Sequence, residues 1–461
     1  MRILHISTRL ILGGSQENTV LSCEGQARAG HEVHLAFGPI YGPEGSLLER
    51  VERFRTEEGA AGRGITTHVV SRMVRQISPL SDRLAFDQLY SLIKQIQPDL
   101  VHTHSSKAGI LGRSAAWAVR RDCPRTFGPP PVMPSPYALH GASSGIVASG
   151  GMPRRSARHL PAIVHTIHGP PFMPVEGSFV RRGRVRLTNW MYKDAERFAA
   201  KRCHVIVSVA DAMTREFLER GIGRPEQYVT VRSGMEVGAF LNPVPGETGH
   251  RLGFASTDFV VGTVARLAEH KGHDDLLDAL AGEMRRDPRI KLLWVGDGWW
   301  RERLIAKARS VDLGVAELDR AGSAVDFRNA SSRQVILTGL VPPQLIPGLI
   351  RGMDVLAHPS YREGLPRTVP QALLCGVCPV AYDCDGTGEV CREMETGRLV
   401  PVGDRDGLRE AIVWLMNHPR EREAMAARGR EECRVAFSAE TMVAELEKVY
   451  ARAIELAAHS K

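Results

Sequence analysis

The 461-residue chain has no uninterrupted apolar run near the roughly 20 residues that cross a bilayer, so a helical integral membrane protein is not expected. Its eight cysteines are scattered without the rhythm of a disulfide scaffold, which suits a reducing compartment. The start, Arg2-Ile-Leu-His-Ile-Ser7, reads as a buried strand and lacks the zones of a signal peptide. Export is therefore not expected, and a cytoplasmic location is. Aromatic residues are only 6%, and no zinc-finger or RRM-like pattern is present, which argues against nucleic acid. A formal charge of +8 still calls for anionic partners, such as lipid head groups or a phosphorylated substrate. The familiar nucleotide loops are missing too. The first turn, Arg9-Leu-Ile-Leu-Gly13-Gly14-Ser15-Gln16, is neither G-x-G-x-x-G nor a P-loop, which weakens dehydrogenase and P-loop kinase readings.

The length exceeds what one core usually organises, so two domains are expected, with a cleft between them. Short apolar runs alternate with amphipathic segments, which is the pattern of a parallel α/β sheet. The first series places strands at Ile3–Ser7, Val33–Phe37, Leu100–His104, Ile163–His168 and Val205–Val209. The second places them at Phe259–Ala265, Lys291–Val295, Val335–Thr338, Val355–His358 and Cys378–Ala381, with helices such as His273–Ala281 and Leu408–Met416. The turn residues Asn242-Pro-Val-Pro-Gly246 mark a linker. The expected units are residues 1–241, residues 247–434, and a last helix over 438–461. Ser438 is read as the N-cap of that helix, with Met442, Val443, Leu446, Val449, Tyr450 and Ile454 on its apolar face. Residues 123–161, rich in Pro, Gly and Ser, read as a flexible or lid-like insertion. A milder interruption is expected at Val311–Ser332.

In such sheets ligands bind beyond the carboxyl ends of the strands, so loops that follow strands deserve the closest reading. Gly13 and Gly14 would let backbone approach a ligand at a helix N-terminus. His168 ends a strand and is read as a proton-exchanging or hydrogen-bonding group, whereas His102, His104 and His165 are read as structural. Arg266 and Lys271 follow a strand and open a helix, an arrangement that suits a diphosphate. The run Ala357-His-Pro-Ser-Tyr-Arg-Glu363-Gly-Leu-Pro366 and the loop Asp385-Gly386-Thr387-Gly388-Glu389 would bracket a ligand with hydroxyls at one end and phosphate at the other.

The order of these elements resembles family 4 of the retaining glycosyltransferases, which have the GT-B fold. The resemblance rests on the Gly13-Gly14 turn, His104-Ser-Ser-Lys107-Ala-Gly-Ile-Leu-Gly112, His165-Thr-Ile-His-Gly169, Arg232-Ser-Gly-Met-Glu236, Arg266 with Lys271, Gly296-Asp-Gly298 and the Glu363 region. It implies two Rossmann-like domains facing a cleft and a nucleotide diphosphate sugar as donor substrate. It also implies a hydroxyl acceptor, transfer of a hexosyl group with retention, and a last helix that crosses back onto the first domain. Arg266 and Lys271 would hold the diphosphate, Glu363 sugar hydroxyls, His168 the sugar and acceptor region, and the amides of Gly386–Glu389 phosphate or sugar. Gly13, Gly14 and Lys107 would also bind substrate. Neither a metal nor another cofactor is required by this scheme.

One position departs from the family. A second glutamate is expected eight residues after Glu363, and Gln371 stands there, leaving an amide in place of a charged ribose ligand. Thr368 as N-cap with Gln371 at N3 would form a capping box and place Pro370 in the first turn. Cys375-Gly-Val-Cys378, with Cys384 and Cys391 nearby, has redox or zinc spacing, but its place at a helix C-terminus and the lack of histidine argue against both. Eleven Arg and Lys between Arg154 and Arg202 stand against three acids and would suit a solvated face, an anionic membrane or a pyrophosphate-linked acceptor. Two rivals remain: a non-catalytic sugar-nucleotide-binding protein, and a sugar-nucleotide epimerase.

Overall fold

Two seven-stranded sheets organise the computed structural model, which describes residues 1–40, 45–122, 160–172, 179–242, 254–317 and 333–460. The first contains β1 (Arg2–Ser7), β2 (Glu32–Phe37), β3 (Ile65–Val69), β4 (Leu100–His104), β5 (Ala162–Ile167), β6 (Val205–Ser208) and β7 (Tyr228–Thr230), in the order β3-β2-β1-β4-β5-β6-β7. The second contains β8 (Phe259–Val264), β9 (Ile290–Val295), β10 (Val315–Glu317), β11 (Val335–Gly339), β12 (Val355–His358), β13 (Cys378–Tyr382) and β14 (Arg398–Val400), in the order β10-β11-β9-β8-β12-β13-β14. Neighbouring strands pair in parallel throughout both sheets. The result is two doubly wound Rossmann-like units.

Both faces of a parallel sheet are covered by helices, so the central strands are buried on both sides. The β4, β5, β12 and β13 strands are buried along their whole length. Each sheet reverses its direction of winding once, at β1/β4 in the first and β8/β12 in the second. A crevice opens at such a reversal because the two flanking connections leave on opposite faces. Residues 123–159 and 243–253, which hold most of the expected insertion and linker, lie outside the described residues, as do 318–332. Of the segment read as an interruption, Val315–Glu317 forms the edge strand β10.

The last helix, Ala439–His459, is capped by the Ser438 hydroxyl, which accepts a hydrogen bond from the Thr441 N–H at 3.0 Å. Met442, Leu446, Val449 and Tyr450 pack on Ile3, Leu100, Val164 and Val207 of the first sheet. The chain thus returns from the second unit to close the first, and Met235 and Ala439 exchange backbone bonds with Phe437 and Met235 at the crossing.

The helix Thr368–Leu374 corrects one expectation. Its N-cap is Arg367, and no capping box forms. The Thr368 hydroxyl is held by His358 Nδ1 at 3.1 Å, while the Gln371 N–H donates to the Arg367 carbonyl. Pro370 still falls in the first turn, where a missing N–H costs nothing.

Candidate active site between the two sheets

Both reversal points face the same cavity of about 520 Å³. From the first unit, its wall takes Gly14 after β1, Ser105 after β4 and His168 after β5; from the second, Arg266 after β8, and His358 and Glu363 at and after β12. Four residues singled out from sequence, Arg266, Lys271, Glu363 and His168, therefore line one space.

Glu363 is the best-anchored of them. Lys271 Nζ donates to its Oε1, and His358 Nε2 lies 3.2 Å from the same oxygen. Burial alone would push this carboxyl up, but the Lys271 charge and His358 outweigh it and hold the group well below the usual carboxylate range. A depressed folded value means stability that is fully present above the unfolded-chain value of about 4.3 and is lost as pH falls below it. The melting-temperature gap between the unaltered protein and Glu363→Gln is therefore expected to narrow between about pH 5 and pH 3. A gap independent of pH would contradict the ionised pair.

The loop carrying Glu363 is fixed at several points. The Glu363 N–H donates to Asp385 Oδ2 at 2.6 Å, the Tyr361 N–H to the His270 carbonyl at 2.9 Å, and the Tyr361 hydroxyl to Asp275. Gly272 has φ +68°, and a Cβ there would lie 1.9 Å from the Pro359 carbonyl, so only glycine lets the Lys271 turn seat on this loop. Ser105 and Asp385 also hold left-handed backbone, φ 62° and 46°, without being glycine. Such strain gathers at sites the surrounding structure over-determines.

Arg266 differs from Lys271. It is exposed, stacks over Trp299 at 5.7 Å, and has no carboxylate partner among the described residues. A guanidinium over an open cavity with no internal anion is available to an external one. Lys271 keeps two further N–H donors after bonding Glu363, so it can hold carboxylate and phosphate together.

His168 lies across from this group. Burial and the nearby Arg367 charge push it down to about 3, so the ring is neutral at physiological pH. Its Nε2 is 3.2 Å from His104 Nδ1, and its own Nδ1 has no protein partner. The two units touch here. A Cβ on Gly364 would stand 2.1 Å from the His168 carbonyl, backbone against backbone. Gly364→Ala is expected to force the units apart at a cost of about 1–3 kcal/mol. Donor binding followed by calorimetry should weaken about tenfold or more; unchanged affinity would show that this contact does not set the site.

Other expected residues are placed differently. Lys107 does not line the cavity: its ammonium is tied to Asp82 at 2.5 Å and to the Gln76 carbonyl. Gly386, Thr387 and Glu389 spend their N–H groups on the carbonyls of Gly364, Cys384 and Gly386, and the 386–389 turn does not line the cavity either. The Glu389 carboxylate instead accepts from the Ala212 N–H at 2.9 Å, joining the two units. Gln371 is half-buried and off the cavity wall. Gly13 is extended and accepts the first turn of the Gly14–Arg28 helix. Gly14 leaves room for Arg367, whose Cδ would be 2.6 Å from a Cβ there.

Arg367 was not singled out from sequence. It crosses from the second unit to Glu17 at 3.1 Å and to the Gly14 and Gly234 carbonyls. Its spacing from Glu363 carries no signal for this reach. Burial pushes the Cys375, Cys378 and Cys384 thiols up to about 12, so none of the three is a ready thiolate nucleophile.

Residues 12–129 match the family model described as Glycosyltransferase Family 4, and residues 258–418 the one described as Glycosyl transferases group 1. The chain is related to the GT-B glycosyltransferases. Among these glycosyltransferase relatives is a GDP-mannose-dependent monoacylated alpha-(1-6)-phosphatidylinositol monomannoside mannosyltransferase of Corynebacterium glutamicum, 29% identical over 52% of this chain and 59% of that one. Another is a UDP-Gal:alpha-D-GlcNAc-diphosphoundecaprenol alpha-1,3-galactosyltransferase of Escherichia coli, 24% identical over 75% and 73%. Among solved structures, Anabaena HepE in complex with UDP-glucose superposes with a TM-score of 0.65 at 18% identity, covering 98% of this chain and 99% of that one. The last likeness is one of fold.

Proposed function

We propose that this protein transfers a hexosyl group from a nucleotide diphosphate sugar to a hydroxyl acceptor, with retention. The observation that carries the reading is the set of groups lining the first cavity: the Arg266 guanidinium, the Lys271 ammonium bonded to the Glu363 carboxylate, and the neutral His168 ring. Cations suit a diphosphate; a carboxylate and an imidazole lone pair suit sugar hydroxyls. No protein nucleophile is required. The departing diphosphate, stabilised by Arg266 and Lys271, takes the acceptor proton as the hydroxyl attacks from the same face, so positioning and electrostatics supply the rate.

The acceptor would enter beside the donor. A second cavity of about 520 Å³ shares Pro170 with the first and carries Arg186, Lys193, Arg220 and Arg362 with Trp190. On the same helix, Phe179–Ala200, Leu187, Trp190 and Met191 are exposed among Arg182, Arg184 and Arg186. This surface fits a lipid-linked, phosphate-bearing acceptor and peripheral contact with an anionic membrane. No helix among the described residues is long and apolar enough to cross one. We extend the reading to surface glycan or glycolipid synthesis on the cytoplasmic face, with the exposed Leu187, Trp190 and Met191 as its support.

A thermal-shift screen with UDP-, GDP- and ADP-sugars identifies the donor, because a ligand that binds only the folded state raises the melting temperature. Slow release of free nucleotide from that donor, without acceptor, is the expected result. Binding with no release would favour a pure binder, and conversion to another nucleotide sugar an epimerase.

A further inference from the structure

Behind His168 the first unit buries a continuous hydrogen-bonded chain. His168 Nε2 meets His104 Nδ1 at 3.2 Å, His104 Nε2 meets His5 Nδ1 at 2.9 Å, and His5 Nε2 meets Gln26 Oε1 at 2.7 Å. The Gln26 amide nitrogen donates to the Tyr450 hydroxyl at 2.7 Å, and that hydroxyl meets His102 Nδ1, also at 2.7 Å. Nothing in the transfer reaction uses the members beyond His168. His5, His104, Gln26 and Tyr450 are fully or almost fully buried, and together they run from the cavity to the last helix.

The chain has a direction. A carbonyl oxygen only accepts, so Gln26 Oε1 requires a proton on His5 Nε2. Burial pushes His5 down to about 4, so the ring is neutral and its Nδ1 must accept. His104 then carries its proton on Nε2, and its Nδ1 accepts from His168 Nε2. The neutral His168 is left with a bare lone pair on Nδ1, the buried atom that has no protein partner. Arg367 lines the same cavity, and its positive charge favours a lone pair over an N–H facing it.

We propose that Gln26, oriented by Tyr450, fixes the tautomer of His168 through His5 and His104, so that His168 Nδ1 meets a hydroxyl of the bound sugar as an acceptor. The four residues behind it are positioning residues, and the assignment of the hydroxyl rests on the reading of the cavity as a sugar site. Distance alone would let His5, His102 and His104 share a metal ion, since their ligand atoms lie within 4.8 Å. Each of their six ring nitrogens already has a protein partner, which favours the relay.

Nitrogen-15 NMR of histidine-labelled protein reads the tautomers directly, with His168→Gln assigning the His168 signal. The expected spectrum has His5, His104 and His168 neutral at pH 7 with the proton on Nε2. Gln26→Leu and Tyr450→Phe are expected to give His168 a mixture of tautomers. They should lower kcat/KM for the nucleotide sugar about tenfold while leaving affinity for the free nucleoside diphosphate within about twofold. General damage to the fold would lower both.

A proton on His168 Nδ1 in the unaltered protein would overturn the proposal, as would stoichiometric metal on these histidines. So would an unchanged His168 tautomer in both folded variants. If either variant fails to fold, the spectrum of the unaltered protein still decides. If no nucleotide sugar binds, the site reading falls while the tautomer result stands.

Discussion

Lys271→Ala is expected to lower kcat about 100- to 1,000-fold, the loss seen when one preorganised donor to a developing negative charge is removed. Lys271 acts on two groups at once. It would face the departing diphosphate, and it neutralises Glu363, which among the described residues also has His358 Nε2 at 3.2 Å. Without the ammonium, the main opposition to burial is lost and the Glu363 carboxyl rises toward its ordinary range. The acid limb of the pH–rate profile should therefore move to higher pH in Lys271→Ala as well as the rate falling.

Arg266→Ala separates catalysis from folding. The side chain is exposed, carries no ion pair among the described residues and rests on Trp299, so its removal should change stability by less than about 0.5 kcal/mol. Turnover should still fall about 100-fold or more, with no shift of the acid limb. Near-full activity in both variants would remove the diphosphate role from this wall.

The parts of the fold that sequence shows and hides divide along a physical line. The ten strands legible as apolar runs are the interior strands of the two sheets, covered on both faces, and their bounds fall within a residue or two of those observed. The four that gave no signal, β3, β7, β10 and β14, are the four edges. Three of these are only three residues long, and β3 buries only Ile65 fully, its other four side chains being half-buried or exposed. An edge strand needs less burial and so leaves a weaker apolar signature.

The site divides in the same way. Residues that end interior strands, such as His168 and Arg266, are legible because strand ends are legible. Arg367, which reaches Gly14, and Gln26, which pairs with Tyr450 from 424 positions away, depend on how two units and a returning helix are docked. No local spacing encodes that. The Gly386–Glu389 turn, which the resemblance assigns to phosphate or sugar, also depends on docking: three of its N–H groups bond the carbonyls of Gly364, Cys384 and Gly386.

Glu196→Ala is expected to cost the protein about 3–5 kcal/mol, because it leaves the Arg113 guanidinium charged and unpaired inside the first unit. Arg113 Nη2 donates to Glu196 Oε2 at 2.6 Å, and the two side chains are 1% and 2% exposed. Arg113 Nε is bound to the Gly109 carbonyl at 2.8 Å, and a Cβ on Gly109 would press on His165 at 2.5 Å. The pair thus ties the Ser106–Asp122 helix to the Phe179–Ala200 helix, while Gly109 packs the former on His165 of β5, the strand that leads to His168. A fall in melting temperature of roughly 10 °C should accompany the substitution. Replacing both residues with apolar ones of similar size, Arg113→Met with Glu196→Leu, should recover most of it, since the desolvation penalty of both charges goes as well. If the single variant melts within about 2 °C of the unaltered protein, the pair is not buried as described. If the double variant regains stability but not turnover, the ion pair's contribution lies in holding His168 and Ser105 in register.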